Sequence, residues 1–134
     1  MAALAGKKYV GAEYQKSYEI VRVTYDFAED TGAQADYDVL EAAGACVVKF
    51  LHCHVKTAGA GTNNVNDLGK AAGGTEFWSN QAVTAMTTDA MLTCDAVAGF
   101  AGVELTAGEK IVFGVETANL TAGKFEFVFA IMAR

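Results

Sequence analysis

Cys46, His52, Cys53 and His54 fall within nine residues and are four of the five cysteine and histidine side chains of the sequence. In an extended strand His52 and His54 point to the same face, so the imidazole pair could grip zinc, iron or manganese. A cysteine nucleophile would instead need a thiolate and a neighbouring base. A second concentration of chemistry is acidic. Asp26, Glu29, Asp30, Asp36, Asp38 and Glu41 crowd into residues 26–41 without one basic side chain, the oxygen-rich material of a calcium loop.

Neither set completes a site. The chain has 2 histidines, and no carboxylate follows His54 until Asp67. The plain reading puts both imidazoles on a partly polar face while Leu51, Cys53 and Val55 turn to the core. The three cysteines stand among apolar neighbours and read as small buried hydrophobes. No Cys-x-x-Cys occurs, and with Ser17 and Ser79 as the only serines there is no Gly-x-Ser-x-Gly elbow. The acidic stretch lacks EF-hand spacing and reads as a solvated edge. Gly69-x-x-x-Gly73 lacks the Lys-Ser/Thr ending of a phosphate loop. Asn119-Leu120-Thr121 is a glycosylation sequon with no secretory signal to give it meaning. Trp78 beside Phe77 reads as core or subunit interface. No metal, cofactor or catalytic residue is expected.

The composition bounds what carries these residues. The 134 residues, 52% hydrophobic and 19% charged, suit one folded domain with a core of its own. The net charge of −6 argues against wrapping a nucleic-acid backbone. Charge is unevenly spread. Residues 1–22 carry Lys7, Lys8, Lys16 and Arg22 against Glu13 and Glu19, a balance of +2 that leaves −8 for the rest. Phe77–Thr88, the long uncharged run near the middle, has 12 residues against the ~20 of a membrane span. Lys7 and Lys8 interrupt the opening residues before an apolar signal segment forms. An odd number of cysteines favours a reducing compartment. The expectation is a non-membrane protein made in the cytoplasm.

Strand signals dominate the chain. Val21, Val23, Tyr25 and Phe27 alternate with polar residues and predict a half-buried strand over Ser17–Phe27. Asp36–Leu40 and Ala45–Lys56 follow as strands. Residues 57–75, rich in glycine, read as a long loop with Val65 and Leu68 as anchors. Ala82–Val97, rich in threonine, is assigned to strand. Leu105-Thr106-Ala107-Gly108 recurs as Leu120-Thr121-Ala122-Gly123, each copy followed by a strand, Lys110–Thr117 and Lys124–Met132. That echo predicts consecutive antiparallel strands. The fold expected is all-β, an antiparallel β-sandwich of jelly-roll type over residues 17–134, with an extended N-terminal arm over 1–16. Without proline to blunt its edges, such a sandwich must shield them by charge, closure or a second subunit.

The Ala/Gly/Thr texture, Asp89-Ala90-Met91-Leu92-Thr93 and Val103-Glu104-Leu105-Thr106-Ala107-Gly108-Glu109-Lys110-Ile111-Val112-Phe113 resemble the small decoration, or cement, proteins of tailed-bacteriophage virions. The resemblance covers mainly residues 80–132. It implies a non-enzymatic homotrimer on the capsid exterior, with the major capsid protein as partner. In that reading Lys7, Lys8, Tyr9, Val10 and Tyr14 make the contact: aromatic and apolar groups anchor while lysines steer. Two other readings remain open. A glycan-binding sandwich of a phage fibre or spike would stack sugars on Trp78 and Phe77 beside the 57–75 loop. A cupin-like metal enzyme would use His52 and His54, although cupins add a downstream Glu and a further His that this chain lacks.

Overall fold

The computed structural model describes residues 2–10, 18–95 and 102–134. These form β1 (Ala2–Val10), β2 (Glu19–Asp26), α1 (Phe27–Asp30), β3 (Asp36–Ala42), β4 (Cys46–Ala60), β5 (Val65–Lys70), β6 (Trp78–Ala82), β7 (Met91–Leu92), β8 (Val103–Leu105), β9 (Lys110–Glu116) and β10 (Ala122–Ala133), with a 3-10 turn at Val83–Ala85. They make an all-β sandwich. The first sheet runs β1-β3-β9-β5-β6 and the second β2-β10-β4-β7, with β8 also pairing β4. Every pairing is antiparallel except β1 on β3, which is parallel.

Period-2 patterning builds the core. Val21, Val23 and Tyr25 of β2, Phe125, Phe127, Phe129 and Ile131 of β10, and Ile111, Phe113 and Val115 of β9 all turn inward and are buried. Tyr25 stacks on Phe125 with ring centroids 5.3 Å apart, and Phe50 meets Trp78 edge-on at 5.6 Å. The long strand β10 is the hub of the second sheet, pairing β2 over Lys124–Ile131 and β4 over Ala122–Ala133.

Four expectations are corrected. First, the repeated Leu-Thr-Ala-Gly segments do plug the core with Leu105 and Leu120 and do place Gly108 and Gly123 at positive φ, although Gly123 already lies in β10. The strands after them nevertheless enter different sheets, because β9 pairs β3 and β5 while β10 pairs β2 and β4. Second, residues 57–75 are not one loop. Strand β4 continues to Ala60, and β5 lies inside the stretch. Asn66 is fully buried there because its amide nitrogen donates to Asn64 Oδ1 at 2.7 Å.

Third, after Ala82, which ends β6, the described residues of Ala82–Val97 run through the 3-10 turn and hold strand only at Met91–Leu92. Backbone bonds from Gly59 N to Met86 O (2.8 Å), Asp89 N to Val55 O (2.8 Å) and Val55 N to Ala90 O (2.9 Å) tie this segment irregularly along β4. Fourth, Leu51 is 40% exposed while Cys53 and Val55 are buried. The β4–β10 register slips between Val128 and Phe129, pairing Val128 with His52 and Phe129 with Phe50. Leu51 is the extra residue of that bulge and is turned outward.

Candidate functional site

The sequence-derived chemistry resolves into structure. Cys46, Cys53 and Cys94 are buried, and burial pushes the Cys46 and Cys53 thiols above their ordinary pKa, the opposite of nucleophile activation. His54 Nε2 lies 3.4 Å from Asp89 Oδ1 on the outer face of the second sheet. Among the described residues no three His, Cys, Asp or Glu side chains are grouped to hold a metal ion. Phe77 and Trp78 are fully buried, and Trp78 Nε1 donates to Thr93 O at 3.0 Å. Neither ring is open to a sugar.

The acidic stretch is not wholly a solvated edge. Asp30 and Asp38 are 8% and 5% exposed. Asp30 accepts the amides of Ala5 (3.0 Å) and Asp26 (2.9 Å), and Asp38 accepts from Lys110 Nζ at 2.9 Å. These bonds offset the burial of Asp30 and of Asp38 Oδ2, while Asp38 Oδ1 is buried with no hydrogen-bond partner among the described residues.

The two flanks of the sandwich differ. On the far flank the amides of Ser79 and Asn80 in edge strand β6 donate to Asp95 Oδ2 (3.1 Å) and Asp67 Oδ1 (2.8 Å), and the neighbouring edge β7 has only 2 residues. Capped amides and a short strand blunt an edge. On the near flank the edges are β1 and β2, with 9 and 8 residues. They approach at Gly6, where an added Cβ would lie 3.7 Å from Thr24 O. Toward Val10 and Glu19 they diverge around a groove of about 270 Å³ lined by Lys8, Tyr9, Val10, Glu19, Ile20, Val21 and Arg22.

Buried Val10 and Val21 contribute to this lining, together with Tyr9 and Ile20, which are 66% and 51% exposed. Tyr18, 49% exposed, continues the patch on the outer face of the second sheet, with Lys49 Nζ 5.8 Å from its ring. Apolar groups ringed by Lys8, Glu19 and Arg22 have the anatomy of a protein interface.

Of the residues expected to bind a partner, Lys8, Tyr9 and Val10 line this groove. Lys7 does not join them. Its ammonium lies 3.2 Å from Glu41 and 4.5 Å from the Tyr9 ring centroid, and contact with Tyr9, then Glu41, holds its pKa above the ordinary lysine value. Tyr14 lies outside the described residues. Tyr18, Ile20 and Arg22 escaped the sequence reading because β2 was legible only as a strand. The available signal was an isoleucine in the phase that should face water.

No family model matches the sequence, and no curated protein matches it. Solved structures do. A chain in the capsid of Ralstonia phage GP4 superposes with a TM-score of 0.63 at 14% identity, covering 99% of this chain and 95% of that one. A chain in the cyanophage Pam1 capsid asymmetric unit gives 0.53 at 16% identity, covering 93% and 91%. The likeness is one of fold. It spans nearly the whole of each chain, so this sandwich and those two share their full architecture.

Proposed function

We propose that this chain is a structural protein of a tailed-phage virion, a decoration or cement protein that binds the exterior of the capsid shell and does no chemistry. The observation that carries the reading is the pair of capsid chains matching it almost end to end. The major capsid protein is the partner, and the copies gather as a homotrimer, as the sequence resemblance implies. The strand order supports a jelly roll: with β1 set aside, β2-β10-β4-β7 faces β3-β9-β5-β6, the two four-stranded sheets of that fold.

Stabilisation follows from mass action. A subunit that binds only the mature shell adds RT ln(1 + [L]/Kd), about 2.7 kcal/mol per site at a hundred times Kd. Lys8, Tyr9 and Val10 on β1 are the contact, with Lys7 bracing Tyr9 from beside it; Tyr14 belongs to the same arm. Purified protein added to expanded shells lacking it should sediment with them and raise their melting temperature. The double variant K8E/Y9A, altering two exposed side chains, should keep the fold and weaken attachment about tenfold or more. Wild-type protein that never sediments with such shells overturns the proposed role; wild-type attachment by K8E/Y9A overturns only the contact.

A further inference from the structure

We propose that two copies of this chain pair edge to edge through β2, about a two-fold axis at Ile20. This contact concerns two copies alone and goes beyond the shell-binding reading. Among the described residues β2 pairs only with β10, so its other edge presents backbone groups without a ladder partner. That edge is closed near Thr24 by Gly6 of β1 and opens into the groove over Glu19–Arg22. A five-residue stretch, 18–22, is therefore available to a further strand.

The side chains of this stretch say which strand fits. Tyr18, Ile20 and Arg22 share the outward phase of the second sheet, where Ile20 is opposite Ala130 and Arg22 opposite Val128. Tyr18 and Ile20 are 49% and 51% exposed, and the Arg22 side chain 59%. Arg22 is loosely held. Its Nε lies 3.9 Å from Glu126, whose other oxygen Lys56 approaches to 3.3 Å.

In an antiparallel pair, directly opposed residues share a face. A two-fold axis at Ile20 sets Ile20 against its own copy and Tyr18 against Arg22 on both sides. The cross-strand partners are then an apolar pair flanked by two guanidinium–aromatic contacts. Moving the axis to Val21 would oppose Tyr18 to Thr24, which β1 closes off, and would set Ile20 against Arg22. The stretch is thus self-complementary in one register, and a second copy is the occupant that carries the complementary charge and aromatic face. The union runs β4-β10-β2 of one copy into β2-β10-β4 of the next, an isologous contact.

The test is a cysteine scan of β2 in the full chain. Under mild oxidation I20C should form a disulfide-linked dimer, while E19C and T24C should stay monomeric on a non-reducing gel. Light scattering of the wild-type protein from micromolar to millimolar concentration should show the mass of the assembly double as copies in separate trimers pair through this edge, and R22E and I20K should each raise the dissociation constant of that step about tenfold or more. Any of three results overturns the proposal: no cross-link in I20C, equal cross-linking in E19C or T24C, or protection of β2 amides from exchange that appears only when shells are added. The last would give the edge to the shell. The cross-linking and light-scattering readouts do not depend on shell attachment, so the proposal can fail while the virion role stands, and the reverse.

Discussion

Asp30 accepts the backbone N–H of Ala5 at 3.0 Å across 25 residues of chain, and this bond fastens β1 to the helical turn that follows β2. The other carboxylate oxygen takes the Asp26 amide at 2.9 Å. An asparagine has one acceptor oxygen and would turn an amide N–H toward the second donor. D30N should therefore destabilise the protein by roughly 1–3 kcal/mol, with faster hydrogen exchange at Ala5 than at the β10 amides. Equal exchange at both sites would show that the bond does not anchor β1.

Tyr25 is fully buried, yet its hydroxyl has no hydrogen-bond partner among the described residues. Burial, then Tyr37, Asp30 and Asp26, drives its pKa upward. Y25F keeps the ring against Phe125 and Phe113 and removes the orphan. Thermal unfolding should show stability unchanged or raised by about 1 kcal/mol; a clear loss would mean the hydroxyl is satisfied by water.

Thr117 sits exposed at φ 69°, a conformation that costs a β-branched residue most. T117G should gain about 0.5–1 kcal/mol in denaturant unfolding, net of the entropy that glycine brings to the unfolded chain. A loss would show that the Thr117 side chain makes a contact worth more than the strain.

Glu109 carries the main acid-range signature. Its carboxylate accepts from the Thr106 hydroxyl at 2.7 Å, lies 2.9 Å from Lys70 Nζ and takes the Thr106 amide at 2.8 Å, which hold its pKa down to about 2. A depressed carboxylate contributes stability that is whole above its unfolded value of 4.5 and is lost as pH falls toward 2. E109Q should flatten the stability curve in that window while leaving its slope above pH 4.5 unchanged. An identical acid limb in the variant would remove Glu109 from the account.

Glu116 works the other way. Burial, then Asp36 and Asp67, raises its pKa. A raised carboxylate imposes a penalty that grows as pH climbs from 4.5 through the folded value. E116Q should thus stabilise the protein at neutral pH by roughly 0.5 kcal/mol and not at pH 4. A gain of the same size at both values would point to packing instead.

Strands β2, β9 and β10 are legible because each sets large hydrophobic residues at every second position facing the core, although Val112 of β9 and Val128 and Ala130 of β10 are buried in the other phase as well. What escaped depends on partners far along the chain. The outward turn of Leu51 follows from the register of β10, some 75 residues later, and no local pattern in Ala45–Lys56 contains it. Strand β5 hid behind Asn66 and Asp67, polar residues made tolerable inside a strand by Asn64 and by the Asn80 amide. The echo makes a turn at Thr106–Glu109 but not at its second copy, where Ala122 and Gly123 already belong to β10, and it makes no hairpin, since spacing alone does not choose between two sheets. At the candidate site, Lys8–Val10 stood out by composition. Ile20 and Arg22 gained meaning only when β2 proved to be an edge.

The place of β10 between β2 and β4 has a consequence for biosynthesis. A nascent chain can hold every earlier strand outside the ribosome and still have no second sheet, because the piece that joins its two halves emerges last among them. Closure of the sandwich must then wait until Ala133 has cleared the exit tunnel, and the phenylalanines of β2's future partner are sheltered inside the ribosome while the rest of the core lies open to chaperones.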